Sequence, residues 1–318
     1  MPSRPRALIT GVTGQDGSYL AELLLAAGYE VVGLVRPGDP GDTGAIETVS
    51  ADLLEPASLR RALHDVAPDE LYHLAAPTFV PASWEDPTET VAAIAGATAA
   101  LLAAAVALGG GVRVWVATSS EVFGDAGESP QSERSPMRPR SPYGVAKLAA
   151  HGLVGAMRAR HGLFACSGIA YNHESPRRPL HFLPRKVTRG AAAIKLGLQD
   201  ELVLGDLGAV RDWCHAADVV RAAPLALAAS EPGDYVLASG VGRTVGELVG
   251  AAFACVELDP ERHVRIDPAL IRPSEATVQV GDATRARDVL GWAPEISFEA
   301  MIAEMVSADL AELGARAG

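Results

Sequence analysis

Ala7-Leu8-Ile9-Thr10-Gly11-Val12-Thr13-Gly14-Gln15-Asp16-Gly17-Ser18-Tyr19-Leu20 begins as a short apolar run, passes through three glycines and continues with the spacing of an amphipathic helix. Glycine has no Cβ, so the chain can turn tightly here and bring its backbone close to a phosphate. The N-terminus of the following helix presents unpaired N–H groups and the positive end of its dipole at the same place. The stretch therefore predicts a cradle for a dinucleotide diphosphate, and its predicted members are Gly11, Thr13, Gly14, Gln15, Asp16 and Gly17.

The sequence that follows favours this cradle over a purely structural glycine turn. A second apolar, strand-like run covers residues 29–35, which gives the strand-helix-strand order that the motif requires. Strand-like and helix-like segments then keep alternating, with strands expected at 49–53, 69–76 and 112–117 and a helix at 58–66. This alternation predicts an α/β fold with a doubly wound parallel (Rossmann) sheet that is covered by helices on both faces.

Composition and charge narrow the classes of protein that this chain can belong to. Its 318 residues are 48% hydrophobic and 21% charged, which is typical of a globular protein, and the net charge of −12 argues against nucleic-acid or anionic-membrane partners. Cys166, Cys214 and Cys255 form neither a disulfide framework nor a zinc pattern, so we expect no metal site and a cytoplasmic location. The first strand starts within about six residues of Met1, which leaves no room for a secretory signal. The alanine-rich run 91–108 is expected to be a packed helix rather than a membrane span.

The ends of the second, third and fourth strands complete the predicted cofactor site. Arg36 follows the second strand, where an acidic side chain would accept a hydrogen bond from the ribose 2′-OH of NAD, whereas arginine can contact the 2′-phosphate of NADP. An exposed loop arginine is the alternative. We therefore predict NADP as the cofactor and leave NAD open. The other residues predicted at these strand ends are Asp52, Leu53, Leu74, Ala75 and Ala76.

A group of hydroxyls and one carboxylate, Thr118 to Gly124, follows the strand at 112–117. Ligands bind at the carboxyl ends of strands in doubly wound sheets. About twenty residues later, Tyr143 and Lys147 stand four apart at the start of a helix, so both side chains lie on one face. The ammonium group can favour the phenolate and lower the pKa of the tyrosine. A surface pair is the alternative, but beside the glycine cradle and this strand end the pair predicts a catalytic site.

Beyond about residue 165 the segments become shorter and richer in Gly, Pro, Arg and His. We expect residues 1–165 to form the Rossmann domain, to which later segments return, and residues 166–318 to form mainly a smaller α/β domain that binds the substrate. Arginine-containing loops at 171–178, 211–213 and 272–275 and the helix start at 185–186 predict a clamp for a second anionic ligand, because guanidinium groups bind phosphate in a bidentate manner.

Several segments together match a known family. The broader ones are 9–20 and 140–147, and the narrower ones are Asn172-His173-Glu174-Ser175-Pro176-Arg177-Arg178 and Ile194-Lys195-Leu196-Gly197-Leu198-Gln199-Asp200. Arg211-Asp212-Trp213, Arg272-Pro273-Ser274-Glu275 and Leu290-Gly291-Trp292 complete the set. With these segments the chain resembles the extended short-chain dehydrogenase/reductase family, and within it the GDP-mannose 4,6-dehydratases, over nearly its full length.

The resemblance implies a lyase of deoxysugar biosynthesis that works by internal redox. A bound nicotinamide takes hydride from C4 of the sugar, water leaves from C5 and C6, and the hydride returns to C6. Tyr143 would remove the C4 hydroxyl proton, Lys147 would hold the nicotinamide ribose, and Ser119 would hydrogen-bond the C4 oxygen. Glu121 would be the acid/base that carries the C5 proton and assists loss of the C6 hydroxyl, since elimination needs a group that both accepts and donates a proton.

The resemblance also implies the partners. The substrate would be a nucleotide diphosphate sugar, with a GDP-sugar favoured, held mainly by residues 166–318. The implied substrate-binding residues are Thr78, Ser119, Ser120, Asn172, Leu183, Lys186, Arg211, Arg272 and Glu275. A homodimer or a higher homo-oligomer would form through the helices at 91–108 and 143–160.

The chain departs from the family pattern at three places. Ser119 replaces the usual Thr, Pro77-Thr78-Phe79 replace the usual Gln-Ser-His, and Arg36-Pro37 replace two consecutive arginines. Two other functions stay open at this point. One is an NAD-dependent nucleotide-sugar 4-epimerase or hexuronate decarboxylase of the same superfamily. Glu121 argues against the epimerase. The other is a non-catalytic dinucleotide-binding regulator, which the intact Ser119, Glu121, Tyr143 and Lys147 disfavour.

Overall fold

The computed structural model describes residues 4–38, 41, 43–44, 46–109, 111–125, 127–270 and 278–317. In chain order its strands are β1 Arg6–Thr10, β2 Glu30–Val35, β3 Glu47–Ser50, β4 Glu70–His73, β5 Arg113–Ser119, β6 Ala165–Ala170, β7 Asn172–Glu174, β8 Leu202–Leu204, β9 Val210–His215, β10 Asp234–Leu237, β11 Gly242–Thr244, β12 Val264–Ile266 and β13 Val278–Gln279. Its helices are α1 Gln15–Ala26, α2 Pro56–Val66, α3 Pro87–Val91, α4 Ala97–Ala107, α5 Pro142–His161, α6 Leu183–Lys195, α7 Ala216–Ala228, α8 Val245–Ala254, α9 Thr284–Leu290 and α10 Phe298–Ala317.

Seven parallel strands form the central sheet in the order β10-β6-β5-β4-β1-β2-β3. The order changes direction at β1, from which β2 and β3 extend one way and β4 and β5 the other, so the crevice beside β1 is the expected ligand position of a doubly wound sheet. The predicted doubly wound parallel Rossmann sheet is confirmed. Two of its strands, β6 and β10, begin at or after residue 165 in the chain.

The inner strands of the sheet are buried on both faces, as their nearly continuous apolar runs require, whereas the edge strand β3 is mostly exposed. Leu8 of β1 lies in a core shared with α2 and α4, whereas Ile9 lies in a core shared with α1 and α7. Burying each large apolar side chain stabilises the fold by roughly 1.5–3 kcal/mol. The sheet is therefore a rigid platform, and its strand ends hold fixed positions.

A smaller assembly follows in the second half of the chain. Strand β9 pairs with β7, β11 and β13, and β8 pairs with β12. Helix α6 packs against α8 and α10 in the same apolar core. Asp309 of α10 is fully buried, pairs with Arg185 and Arg189 of α6, and accepts a hydrogen bond from Thr188 Oγ1 at 2.8 Å. This ion-pair group fixes the helix that bears Lys186.

Helices α3 and α4 join through a π turn into one helix, Pro87–Ala107. Its mean hydropathy of 2.0 and its length would suit a membrane span, and among the described residues it is the one such helix. However, 61% of its most apolar window is buried inside the protein, where it packs beside α2 and α5. The apolar side chains of this helix therefore form part of the protein core.

Strand β4 ends earlier than the sequence predicted, at His73 rather than residue 76. The N–H groups of Leu74 and Ala75 donate to the Thr10 hydroxyl, at 3.1 and 3.0 Å, instead of extending the strand ladder. The Thr10 side chain thus takes the place of a strand partner for these two N–H groups. The chain after β4 therefore lies beside the glycine turn.

Candidate active site

The glycine turn after β1 is closed by its own backbone. Gly11 has φ of +74°, and its carbonyl accepts a hydrogen bond from Gly14 N at 3.0 Å. A Cβ on Gly17 would lie 2.7 Å from the carbonyl carbon of Gly11 and closer still to its oxygen. Only glycine at position 17 therefore lets α1 pack this tightly onto the turn.

The first turn of α1 is open to an anion. Gly14 stands at the N-cap and has no side chain with which to cap the helix. The N–H groups of the first turn and the helix dipole therefore remain available to a diphosphate. Gly11 lies so close to the chain after β4 that a Cβ there would be 3.0 Å from the backbone of Ala75. This cradle fits a dinucleotide.

Thr10 and His73 lie beneath the cradle, both buried. The Thr10 hydroxyl already accepts from two N–H groups, so it donates its own proton to Nδ1 of His73 at 2.9 Å. The imidazole is therefore neutral, with its proton on Nε2. Burial, together with the charge of Lys147, lowers the pKa of His73 to about 3.

The predicted adenosine edge lies at the ends of β2 and β3. Arg36 is exposed directly after β2. The Asp52 carboxylate accepts a hydrogen bond from Leu54 N at 2.9 Å, and Asp52 N donates to Ser58 Oγ at 3.0 Å, so this residue shapes the turn into α2. Both positions suit the sequence prediction for a ribose and an adenine.

Strand β5 and helix α5 bring the predicted catalytic residues together. Ser119 Oγ accepts a hydrogen bond from Glu121 N at 3.3 Å, and its hydroxyl lies near enough to the Tyr143 hydroxyl to affect the pKa of the phenol. Ser141 caps α5 by accepting from Gly144 N at 3.0 Å, which fixes the helix start beside β5. A Cβ on Gly144 would lie 2.7 Å from the Glu121 carbonyl oxygen, so glycine permits this close approach.

Lys147 lies one helical turn after Tyr143 and is almost fully buried. Its ammonium donates to the carbonyl of Ala117 at 2.7 Å and lies 5.8 Å from the centre of the Tyr143 ring. Burial lowers the pKa of Lys147 to about 8. Burial also raises the pKa of Tyr143 to about 12, against the hydrogen bond from Ser119 and with a further increase from the charge of Glu121.

The direction for Tyr143 is opposite to the sequence prediction, which expected Lys147 to lower the pKa of the phenol. The desolvation of a buried phenolate outweighs the distant ammonium, whose proton is directed at a backbone carbonyl. In this state the phenol keeps its proton at neutral pH.

One cavity of about 1020 Å³ joins the carboxyl ends of the sheet to the smaller assembly. All four predicted catalytic residues line it, as does Asp16 from the cradle. Among the predicted substrate residues, those that line it are Thr78, Ser119, Ser120, Asn172, Leu183, Lys186 and Arg211. Leu74 of the predicted cofactor set also lines it, whereas the remaining predicted cofactor residues do not. Arg272 and Glu275 lie outside the described residues.

Two predicted phosphate ligands already contact backbone carbonyls. Lys186 Nζ donates to the carbonyl of Val203 at 2.7 Å, and a guanidinium nitrogen of Arg211 donates to its neighbour Val210 at 2.9 Å. These bonds hold the cationic groups at the wall of the cavity, where a diphosphate would meet them.

Sequence reasoning assigned only Asn172 from the segment 172–178, yet His173, Glu174 and Arg178 also line the cavity. Arg178 pairs with the buried Glu174 at 3.2 Å and stacks on Phe182, with 3.7 Å from its guanidinium carbon to the ring centre. The alternation of a short strand could have signalled Glu174, which is two residues from Asn172. Nothing in the local pattern signalled Arg178.

An aromatic group also lies at the cavity wall. The Phe79 ring packs edge-on against His181 and Phe182, with ring centres 4.7 and 5.7 Å apart. Phe79 follows β4, whereas the other two precede α6, so the contact joins the two parts of the protein. Among the described residues, no group of three or more His, Cys, Asp or Glu side chains could hold a metal ion.

Comparison with known proteins adds an independent finding. The sequence profile of the GDP-mannose 4,6 dehydratase family matches residues 8–305. GDP-mannose 4,6 dehydratase 2 of Arabidopsis thaliana is 44% identical over 96% of this chain and 87% of its own length, and the human GDP-mannose 4,6 dehydratase is 39% identical over 96% and 92%.

Solved structures agree with the fold. A dTDP-glucose 4,6-dehydratase of Streptomyces venezuelae with NAD bound superposes with a TM-score of 0.85 at 26% identity, covering 97% of this chain and 98% of that one. RMD from Pseudomonas aeruginosa complexed with NADPH gives 0.84 at 28% identity, covering 97% and 99%.

Proposed function

The chain belongs to the GDP-mannose 4,6-dehydratase family, and on that premise we propose that it converts GDP-mannose into GDP-4-keto-6-deoxymannose and water. It is a nucleotide-sugar dehydratase, a lyase. The observation that carries the proposal is the meeting of Ser119, Glu121, Tyr143 and Lys147 at one cavity that also reaches the predicted diphosphate ligands.

The side chains divide the proton chemistry among them. A bound nicotinamide dinucleotide supplies the hydride acceptor for C4 and the hydride donor for C6. The positive charge of a bound oxidised nicotinamide would favour the Tyr143 phenolate, which would then take the C4 hydroxyl proton beside Ser119. Lys147 would bond the ribose of the cofactor. Glu121 removes the proton at C5 and delivers one to the departing C6 hydroxyl. The sum of these steps is loss of one water, with no net oxidation.

The cofactor is a nicotinamide dinucleotide, and we propose NADP(H) as the preferred form. Arg36 is exposed at the end of β2, where its guanidinium can contact a 2′-phosphate. Titration of ligand-free protein with both dinucleotides is expected to give tighter binding of NADP(H). NAD(H) binding of equal or greater affinity would contradict the proposal.

The role of Glu121 gives the sharpest test of the function. Glu121→Gln keeps the size of the side chain but removes its proton acceptor, so formation of the 6-deoxy product from GDP-mannose should slow by roughly 10²–10⁴-fold. Removal of hydride from C4 should survive, visible as reduced-nicotinamide absorbance, while solvent deuterium fails to enter at C5. Tyr143→Phe should abolish the absorbance change itself.

A matched control is Glu257→Gln, which changes an exposed glutamate outside the cavity and should leave turnover unchanged. Product mass separates the outcomes: loss of water marks a dehydratase, and an unchanged mass marks an epimerase. Near-normal product formation by Glu121→Gln would show that the carboxylate has only a structural role at the strand end.

We also propose that two copies of the chain associate through Pro87–Ala107 and α5. The exposed positions of α5 include Val145, Ala149, Gly152 and Ala156, which are small or apolar and lie on one helical face. Gly96 and Gly152 have open space where a Cβ would be, although glycine inside a helix costs roughly 1 kcal/mol relative to alanine. Close approach of a second helix would account for that cost.

A further inference from the structure

The segment after β6 contacts the first turns of α1 through alternate side chains. Ser175 Oγ donates to Gln15 Oε1 at 2.8 Å, and the Arg177 guanidinium donates to Ser18 Oγ at 3.0 Å. His173 contacts Asp16, which follows Gln15 in the first turn of α1. Residues 173, 175 and 177 therefore hold the cradle helix from the side of the smaller assembly.

His173 lies between two hydrogen-bond acceptors. Its Nε2 is 2.9 Å from a carboxylate oxygen of Asp16, and its Nδ1 is 2.7 Å from the carbonyl oxygen of Tyr171. Since neither neighbour has a proton to donate, both ring nitrogens must bear one, and the ring is an imidazolium. The Asp16 carboxylate overcomes the opposing effect of burial and raises the pKa of His173.

Asp16 needs such a partner because of where it lies. It is the second residue of α1, at the helix end that fits a diphosphate, and its side chain is partly exposed to the cavity. Without a nearby cation, a carboxylate there would repel the phosphates at short range. Burial would raise the pKa of Asp16, but the charge and the hydrogen bond of His173, with smaller effects of the Gln15 hydrogen bond and the Arg178 charge, lower it to about 2, so the carboxylate stays ionised.

We propose that His173 is a positioning residue whose imidazolium neutralises Asp16, so that the first turn of α1 can bind an anionic diphosphate. This inference rests on the dinucleotide-binding part of the proposed function and not on the fate of the sugar. It assigns His173 an electrostatic task that is exerted through Asp16, and it predicts that removing both charges together restores what removing one destroys.

The test measures the affinity of ligand-stripped protein for NADPH, by quenching of protein fluorescence, in a double-mutant cycle. His173→Gln leaves Asp16 with its hydrogen bond from Gln15 but without the adjacent imidazolium, and should weaken binding roughly 10- to 100-fold, as for loss of one partner of a desolvated charge pair. Asp16→Asn should bind within about threefold of the wild-type protein or tighter, since it removes the repulsion at its source. The double variant should recover to within about threefold as well.

A second ligand locates the effect. NADPH and 2′-phospho-ADP-ribose share the diphosphate, but only NADPH has the nicotinamide. We expect His173→Gln to weaken the two by the same factor. An effect on NADPH alone, or a double variant as weak as His173→Gln, would overturn the proposal, because His173 would then act by direct contact with the nicotinamide or through the fold.

Ser175→Ala is the matched control within the same segment, since it removes a hydrogen bond to Gln15 and no charge. It should lower the unfolding temperature without weakening NADPH binding more than about threefold. A tenfold loss in this variant would mean that the contact, and not the charge, sets the affinity. A wild-type protein that binds NADPH without turning over GDP-mannose would contradict the proposed function and leave this inference standing.

Discussion

His73 shows how a single buried residue sets a pH limit on the fold. It is 4% exposed at the end of β4, and its Nδ1 accepts the Thr10 proton at 2.9 Å. Charging the ring would remove that acceptor and place a cation beneath the cradle, in the field of Lys147. The glycine turn therefore requires the neutral imidazole of His73, which accepts the proton of Thr10.

The sign of the pH dependence follows from the two states. The pKa of His73 is about 3 when folded, whereas an unfolded chain has the ordinary histidine value of roughly 6.5. Between these values only the unfolded chain binds the proton, so the free energy of unfolding falls as the pH falls through this window. The contribution of His73 is fully present above pH 6.5.

His73→Asn offers an amide oxygen to Thr10 and cannot be protonated. Between pH 7.5 and pH 5 we expect the variant to lose about 1–2 kcal/mol less of its unfolding free energy than the wild-type protein, measured by urea denaturation. His64→Asn changes an exposed histidine and should leave the pH dependence as it is. Identical pH profiles for His73→Asn and the wild type would contradict this account.

At the residue scale, the sequence predicted positions that backbone geometry restricts. Gly11 and Gly17 were predictable because a positive φ and a contact without Cβ each exclude other residues. The roles of His173 and Arg178 were not, since they depend on partners about 160 residues away or on a neighbouring ring. The rise in the pKa of Tyr143 was missed for a similar reason, because a sequence motif does not show how deeply a side chain is buried.

At the element scale, helices were predicted best where end signals are strong. Helix α5 was expected at 143–160 and spans Pro142–His161, because Ser141 caps its start and Gly162 ends it in the left-handed conformation. The three-residue strands β7, β11 and β12 were harder, since a run that short has no measurable period. These segments become strands because they pair with strands that are distant in the chain.

The exposed face of α5 gives the prediction for assembly. Ala149→Glu places a charge in the middle of the proposed helix interface, so the variant should sediment as a monomer at micromolar concentration while the wild type sediments as a dimer. Ala254→Glu, at an exposed alanine of α8, should remain dimeric. A monomeric wild-type protein, or a dimeric Ala149→Glu variant, would argue against this interface.

At the scale of the whole molecule, the sheet could be predicted and the cavity only in part. Alternating segments and the glycine turn require a doubly wound sheet, and its strand ends placed Ser119 and Tyr143 on one side. Further lining residues come from β7 and α6, whose positions depend on packing across the two parts. Phe79 and Phe182 meet there although a hundred residues separate them in the chain.

The contact between Gly17 and the turn at Gly11 also has a genetic meaning. Every amino acid that a single base change can produce from a glycine codon has a Cβ, and at position 17 any Cβ would overlap the backbone of Gly11 and Val12. No missense change at that codon is therefore conservative, whatever the size or charge of the new side chain. A survey of random variants selected for activity should find this codon altered only by silent substitutions.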